Sequence, residues 1–139
     1  MRHTLLFTFA LFAVAVGCGR QNTTTTTPPK AKTMNCTLDI CGAKKIQNPT
    51  EADIRQAVFG LDTKKGEAFL ILGPTDMTYI QTGGDQKAGF DLEYQESDAK
   101  HHYRAKRDFT ADEVLKVLLS YTTGSEDWKK SAEWEPIKW

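Results

Sequence analysis

The 139-residue chain has no excess charge of either sign. Lys plus Arg number 18 and Asp plus Glu number 18, so no cationic surplus points to a nucleic-acid partner. It also lacks an apolar run of the roughly 20 residues that a helix needs to cross a bilayer. The longest, Leu5 to Val16, is shorter and is broken by Thr8. Three cysteines and three histidines offer little to a metal, and no second pair of ligands stands at zinc-like spacing near Cys36 and Cys41. Gly-x-Ser-x-Gly, His-Glu-x-x-His and Cys-x-x-Cys are all absent. The chain therefore spells out no catalytic residue, and no cofactor is expected.

What is present begins with an address. Arg2 and His3 precede the apolar run, the layout of an export signal. Ala15-Val16-Gly17 then leads straight into Cys18, and this tetrapeptide resembles the lipobox of bacterial lipoproteins, in which the cysteine is cleaved free and acylated. Ala15 stands where that family more often has Leu or Val. The resemblance implies a signal peptide over residues 1–17, lipidation at Cys18 and a membrane lipid as first partner. Gly19 stands where an Asp retains such proteins in the inner membrane, so the implied location is the outer membrane, facing the periplasm. The competing reading is an ordinary secretory signal with an accidental cysteine. Residues 18–33 hold five consecutive threonines, two prolines and no large apolar side chain, a composition that cannot offset the entropy of ordering it. They read as a tether with an r.m.s. reach of about 20–25 Å.

Residues 34–139 read as one domain. Thr37-Leu38-Asp39-Ile40 alternates like a strand, and Cys41-Gly42-Ala43-Lys44 looks like a turn returning into Lys45-Ile46-Gln47. Cys36 and Cys41 form a possible disulfide in an oxidising compartment. The hairpin opposes it, because five strand steps cover about 17 Å and a disulfide needs Cα atoms within about 7 Å. Thr50 with Asp53 predicts a capped helix whose buried stripe is Ile54, Ala57, Val58 and Leu61. Ala68 to Leu72 is apolar on both faces and reads as a central strand. Met77 to Thr82 follows as another, and Gly83 to Gly89 reads as a hairpin connection, not a phosphate cradle.

Pairing Gln95 with Lys100 sets Tyr94 against His101 and Leu92 against Tyr103 on an apolar face. It sets Glu93 against His102 and Asp91 against Arg104 on a polar one. A second capped helix runs from Thr110 to Gly124, and Ala132 to Trp139 reads as a short edge strand, with Pro136 tolerable only at an edge. The expected fold is α+β: an antiparallel β-meander of about four strands with two helices packed on one face, plus an N-terminal β-hairpin.

His101-His102 is the one pair that invites an enzyme reading. Neighbouring strand residues point to opposite faces, which argues against a shared site. His102 is expected on the surface beside Glu93, and His101 near Tyr94. Met77-Thr78-Tyr79-Ile80-Gln81, Gly89 to Tyr94, His101 to Arg104, Asp127-Trp128-Lys129 and Glu133-Trp134-Glu135 resemble a group of small bacterial α+β domains, some of which accompany toxins as immunity proteins. That resemblance implies a protein partner. Trp128 and Trp134 are the candidate anchors, set against the alternative that they close the core. The function expected is a membrane-anchored, non-catalytic protein-binding module; the alternative is a small periplasmic hydrolase or metal-dependent enzyme.

Overall fold

A computed structural model gives the fold of residues 33–138. The signal-like run, Cys18 and the threonine-rich segment lie outside the described residues. β1 (Thr37–Ile40) and β2 (Lys44–Gln47) form the N-terminal hairpin, followed by α1 (Glu51–Gly60). Next come β3 (Phe69–Thr75), β4 (Thr78–Asp85), β5 (Gly89–Phe90), β6 (Glu93–Gln95) and β7 (His102–Ala105). α2 (Ala111–Thr122) and β8 (Trp134–Pro136) complete the chain. The strands join in one antiparallel eight-stranded sheet, ordered β2-β1-β3-β4-β6-β7-β8 with β5 paired beside β4. The α+β class stands. The strand count does not, because the hairpin joins the meander through β1–β3 pairing and the stretch Gly89 to Gln95 splits into β5 and β6.

Local chemistry accounts for the elements. Cys41 and Gly42 both have positive φ, 54° and 66°, the twist that a tight hairpin turn needs. Asp39 Oδ1 accepts the Gly42 amide at 2.9 Å and fixes that turn. Thr50 and Thr110 cap α1 and α2, and in each case the Asp53 or Glu113 side chain accepts in return from the cap amide. Gly124, at φ 72°, ends the second helix by donating to the Tyr121 carbonyl.

Alternation along the strands sends Leu38, Leu70, Leu72, Ile80 and Tyr94 to one face, where they meet Ile54 and Val58 of α1 and Val114 and Leu118 of α2 in a single core. Each fully buried aliphatic side chain contributes about 1.5–3 kcal/mol relative to exposure.

Cys36 and Cys41 are free thiols at opposite ends of β1, and no disulfide joins them. The expected β6–β7 register is corrected by two residues: Tyr94 pairs with Tyr103 and Gln95 with His102. The connection is longer than expected, because Asp98 accepts from Lys100 N and caps a 3-10 turn over Ala99–His101. An even shift preserves the faces, so the apolar and polar sets stay separate. His101 is placed in that turn, exposed, with Nδ1 3.0 Å from Asp98 Oδ1 and not beside Tyr94.

Glu113 yields a test of the second cap. The Thr110 backbone amide, the Arg107 guanidinium and the Thr110 hydroxyl hold its carboxyl down to about 2, from an ordinary 4.5. A depressed folded-state pKa means that this stabilisation is present above about pH 4.5 and is lost as the pH falls toward 2. Thermal melts of wild type and Glu113→Gln are expected to differ near neutral pH, with wild type higher, and to converge by about pH 2.

Candidate functional site

The two expected anchors are largely consumed by the core. Trp128 is only 6% exposed, and its ring stands edge-on to Tyr94 at 4.9 Å, Tyr121 at 5.5 Å and Trp134 at 5.8 Å. Trp134 is half-buried, and its Nε1 donates to the Lys129 carbonyl at 2.7 Å. Tyr103 stacks on Tyr94 at 4.9 Å, so β6, β7, β8 and the end of α2 meet in one aromatic cluster. Lys129 closes its rim, reaching Glu96 at 2.7 Å and Glu126 at 3.0 Å while lying over the Tyr94 and Trp128 rings. A thin edge of Trp128 still lines a shallow groove with Phe109 and Val117.

The glycine-rich turn is also structural. Asp85 Oδ1 accepts the Lys87 and Ala88 amides at 2.8 Å each, and its other oxygen accepts the Thr63 hydroxyl. Those bonds hold the Asp85 carboxyl well below the usual carboxylate range. The amides that would cradle a phosphate already serve an anion. Gly84 is required for a different reason: at φ 110°, a Cβ there would sit 2.2 Å from the Gly89 carbonyl oxygen.

The face of the sheet opposite the helices is the better candidate. Its centre is a polar network across three strands. Gln81 Nε2 donates to Glu93 Oε2 at 2.7 Å, and His102 Nε2 lies 3.1 Å from the same oxygen. Gln95 Nε2 donates to the Met77 carbonyl at 3.2 Å, and Tyr79 OH donates to Gln95 Oε1 at 3.5 Å. Tyr79 stands edge-on to the His102 ring at 6.1 Å. Burial, then the Glu93 charge, pushes the Tyr79 hydroxyl pKa up. The expected Glu93–His102 contact is thus present, but the histidine is not on the surface: its side chain is 5% exposed.

Around this network the face is open. Ion pairs Asp39–Lys45 at 3.3 Å and Arg104–Glu135 at 2.7 Å flank it on either side. A groove of about 500 Å³ runs between Asp39, Ile71, Pro74, Asp76 and Tyr79. Met77, at 46%, is the exposed large apolar side chain among the described residues, and it lies next to the groove wall. A bulge between Leu72 and Thr75 re-aims the chain here, and Gly73 allows it, since a Cβ would meet the Thr78 carbonyl oxygen at 2.3 Å.

Met77, Tyr79 and Gln95 escaped the sequence reading as a site. Their signal was available: Tyr79 and Gln81 occupy the strand positions that alternate with the buried Ile80 and Thr82.

A general base must come within hydrogen-bond reach of its substrate, and the His102 side chain is 5% exposed. His101 and His102 serve separate partners, Asp98 and Glu93. Among the described residues, no three His, Cys, Asp or Glu side chains gather as a metal site.

The burial of Trp128 sets a direct expectation. Trp128→Ala should cost about 3–5 kcal/mol, measured by urea unfolding, because it empties the centre of the aromatic cluster. A loss below about 1 kcal/mol would return this indole to the surface role first considered for it.

No protein-family model matches the chain, and neither a curated protein nor a solved structure does.

Proposed function

We propose that the protein is an envelope lipoprotein, held to a bilayer through acylated Cys18, whose domain is a non-catalytic protein-binding module presenting the helix-free face of its sheet. The observation that carries this reading is the exposure of Met77 beside Tyr79 and a long groove, backed by side chains already fixed in hydrogen bonds. Contacts that are ordered before association lose less entropy on binding. An apolar knob within a polar surround has the layout of a binding centre.

The anchor is supported by the sequence Ala15-Val16-Gly17-Cys18, and the proposed location is the outer membrane, facing the periplasm. Among the described residues no helix is long and apolar enough to cross a membrane, and acyl chains on Cys18 would hold the protein to a bilayer through their buried methylenes. The looser likeness to immunity proteins fits a stoichiometric protein partner.

Two measurements test the two halves. Cys18→Ser is expected to leave the detergent phase and fractionate as soluble protein; retention in membranes equal to the parent would remove the anchor. Affinity capture from detergent-solubilised envelopes is expected to yield a stoichiometric partner with wild type and with Lys116→Ala on α2, but not with Met77→Ala. An unchanged protein set with Met77→Ala would move the contact surface elsewhere.

A further inference from the structure

We propose that the partner of the helix-free face is a basic protein surface. This rests on the reading of that face as the contact surface and adds the chemistry that would recognise it.

The neutral total hides a segregation. All 18 carboxylates lie after residue 32, whereas Arg2, Arg20, Lys30 and Lys32 precede Thr33, leaving 14 cations in the rest of the chain. Much of the resulting acidic surplus gathers on one side. Asp39 and Asp76 line the upper groove, and Asp91, Glu93 and Glu135 line the lower part of the same face. Four cations lie among them, and each is already engaged by a carboxylate: Lys45 by Asp39, Arg104 by Glu135, Lys106 by Glu133 and Arg107 by Glu113. Of the carboxylates that line this face, Asp76, Asp91, Asp108 and Glu93 have no Lys or Arg ion-pair partner among the described residues, and Glu93 stands against His102. Asp91 accepts only the Gly83 amide from the backbone, and Glu93 shares its Oε2 with Gln81 and His102.

That surplus discriminates between occupants. An anionic leaflet or a nucleic acid is repelled by it. A second copy would bring two acidic faces together, which is costly in the same way. A cationic protein surface with a recess for Met77 is drawn in and oriented, and the attraction weakens with salt.

The test keeps Met77 and places a photo-reactive phenylalanine derivative at position 47, on the rim of the same groove, in the full lipidated chain, irradiated in the cells that make it. The expected product is a protein adduct whose cross-linked peptide carries more Lys and Arg than Asp and Glu. Its yield should fall about tenfold in Asp76→Asn/Asp91→Asn and hold in Glu51→Gln/Glu67→Gln, the same two charges removed away from the face. If the double variant does not fold by circular dichroism, Asp76→Asn alone decides, with a smaller fall expected. A yield indifferent to these changes, or an adduct with lipid, nucleic acid, a second copy or an acidic peptide, overturns the proposal. Indifference to charge with a protein adduct leaves the contact surface standing; no adduct at all removes that reading too.

Discussion

One row of side chains determines where everything else can be. Ile46, Leu38, Leu72, Ile80, Tyr94, Tyr103 and Pro136 are successive cross-strand partners, running through the sheet from one edge to the other. Three of them, Leu38, Leu72 and Ile80, are fully buried beneath the helices. Because side chains alternate with period two, a one-residue slip of any strand would send its whole apolar set into water. At about 1.5–3 kcal/mol per large buried side chain, two such losses rival the stability of a small domain. The row therefore fixes register, and register fixes which residues stand on the far side.

The aromatic cluster finishes the same task where the aliphatic row runs out. β8 is three residues long and contains Pro136, which cannot donate to a further strand, so it forms a self-terminating edge. Its attachment comes from packing: Trp134 against Tyr94 and Trp128, and Lys129 clasped between two glutamates above the rings. Tyr121 continues the cluster into α2, where burial pushes its hydroxyl pKa up to about 12. Aromatic pairs in edge-to-face geometry add about 0.5–1.5 kcal/mol beyond their area. Tryptophans near a chain end thus serve as closure here before they can serve as contacts.

How far this was legible in the sequence depends on the range of the interaction. Thr50–Asp53 and Thr110–Glu113 are decided within four residues, and both helices could be read from them. The buried stripe Ile54, Ala57, Val58 and the central position of β3 followed from periodicity. The pairing of Tyr94 with Tyr103 did not, because the connection holds a 3-10 turn set by Asp98, and a turn of that kind changes length without changing the strand pattern on either side. The joining of the hairpin to β3 is a contact across more than thirty residues with no local signature. The candidate face was hidden for a related reason: Tyr79, Gln95 and His102 are single polar positions on three strands, and only the sheet brings them together.

The polar network has a physical consequence for the face it occupies. His102 and Gln95 are 4% and 6% exposed, and burying such groups costs several kcal/mol unless their hydrogen bonds are met. A purely structural sheet face open to solvent gains nothing by paying that cost, since exposed threonines or lysines would keep it soluble. Gln95, however, holds Tyr79 and the Met77 backbone in one arrangement, because it binds both. Rigidity of that sort sharpens discrimination between partners: a surface that cannot adjust rejects what does not fit it, and unpaired buried polar groups penalise any partner that disturbs them. The helices make the fold stable from one side of the sheet, and that leaves the other side available for the contact proposed for it.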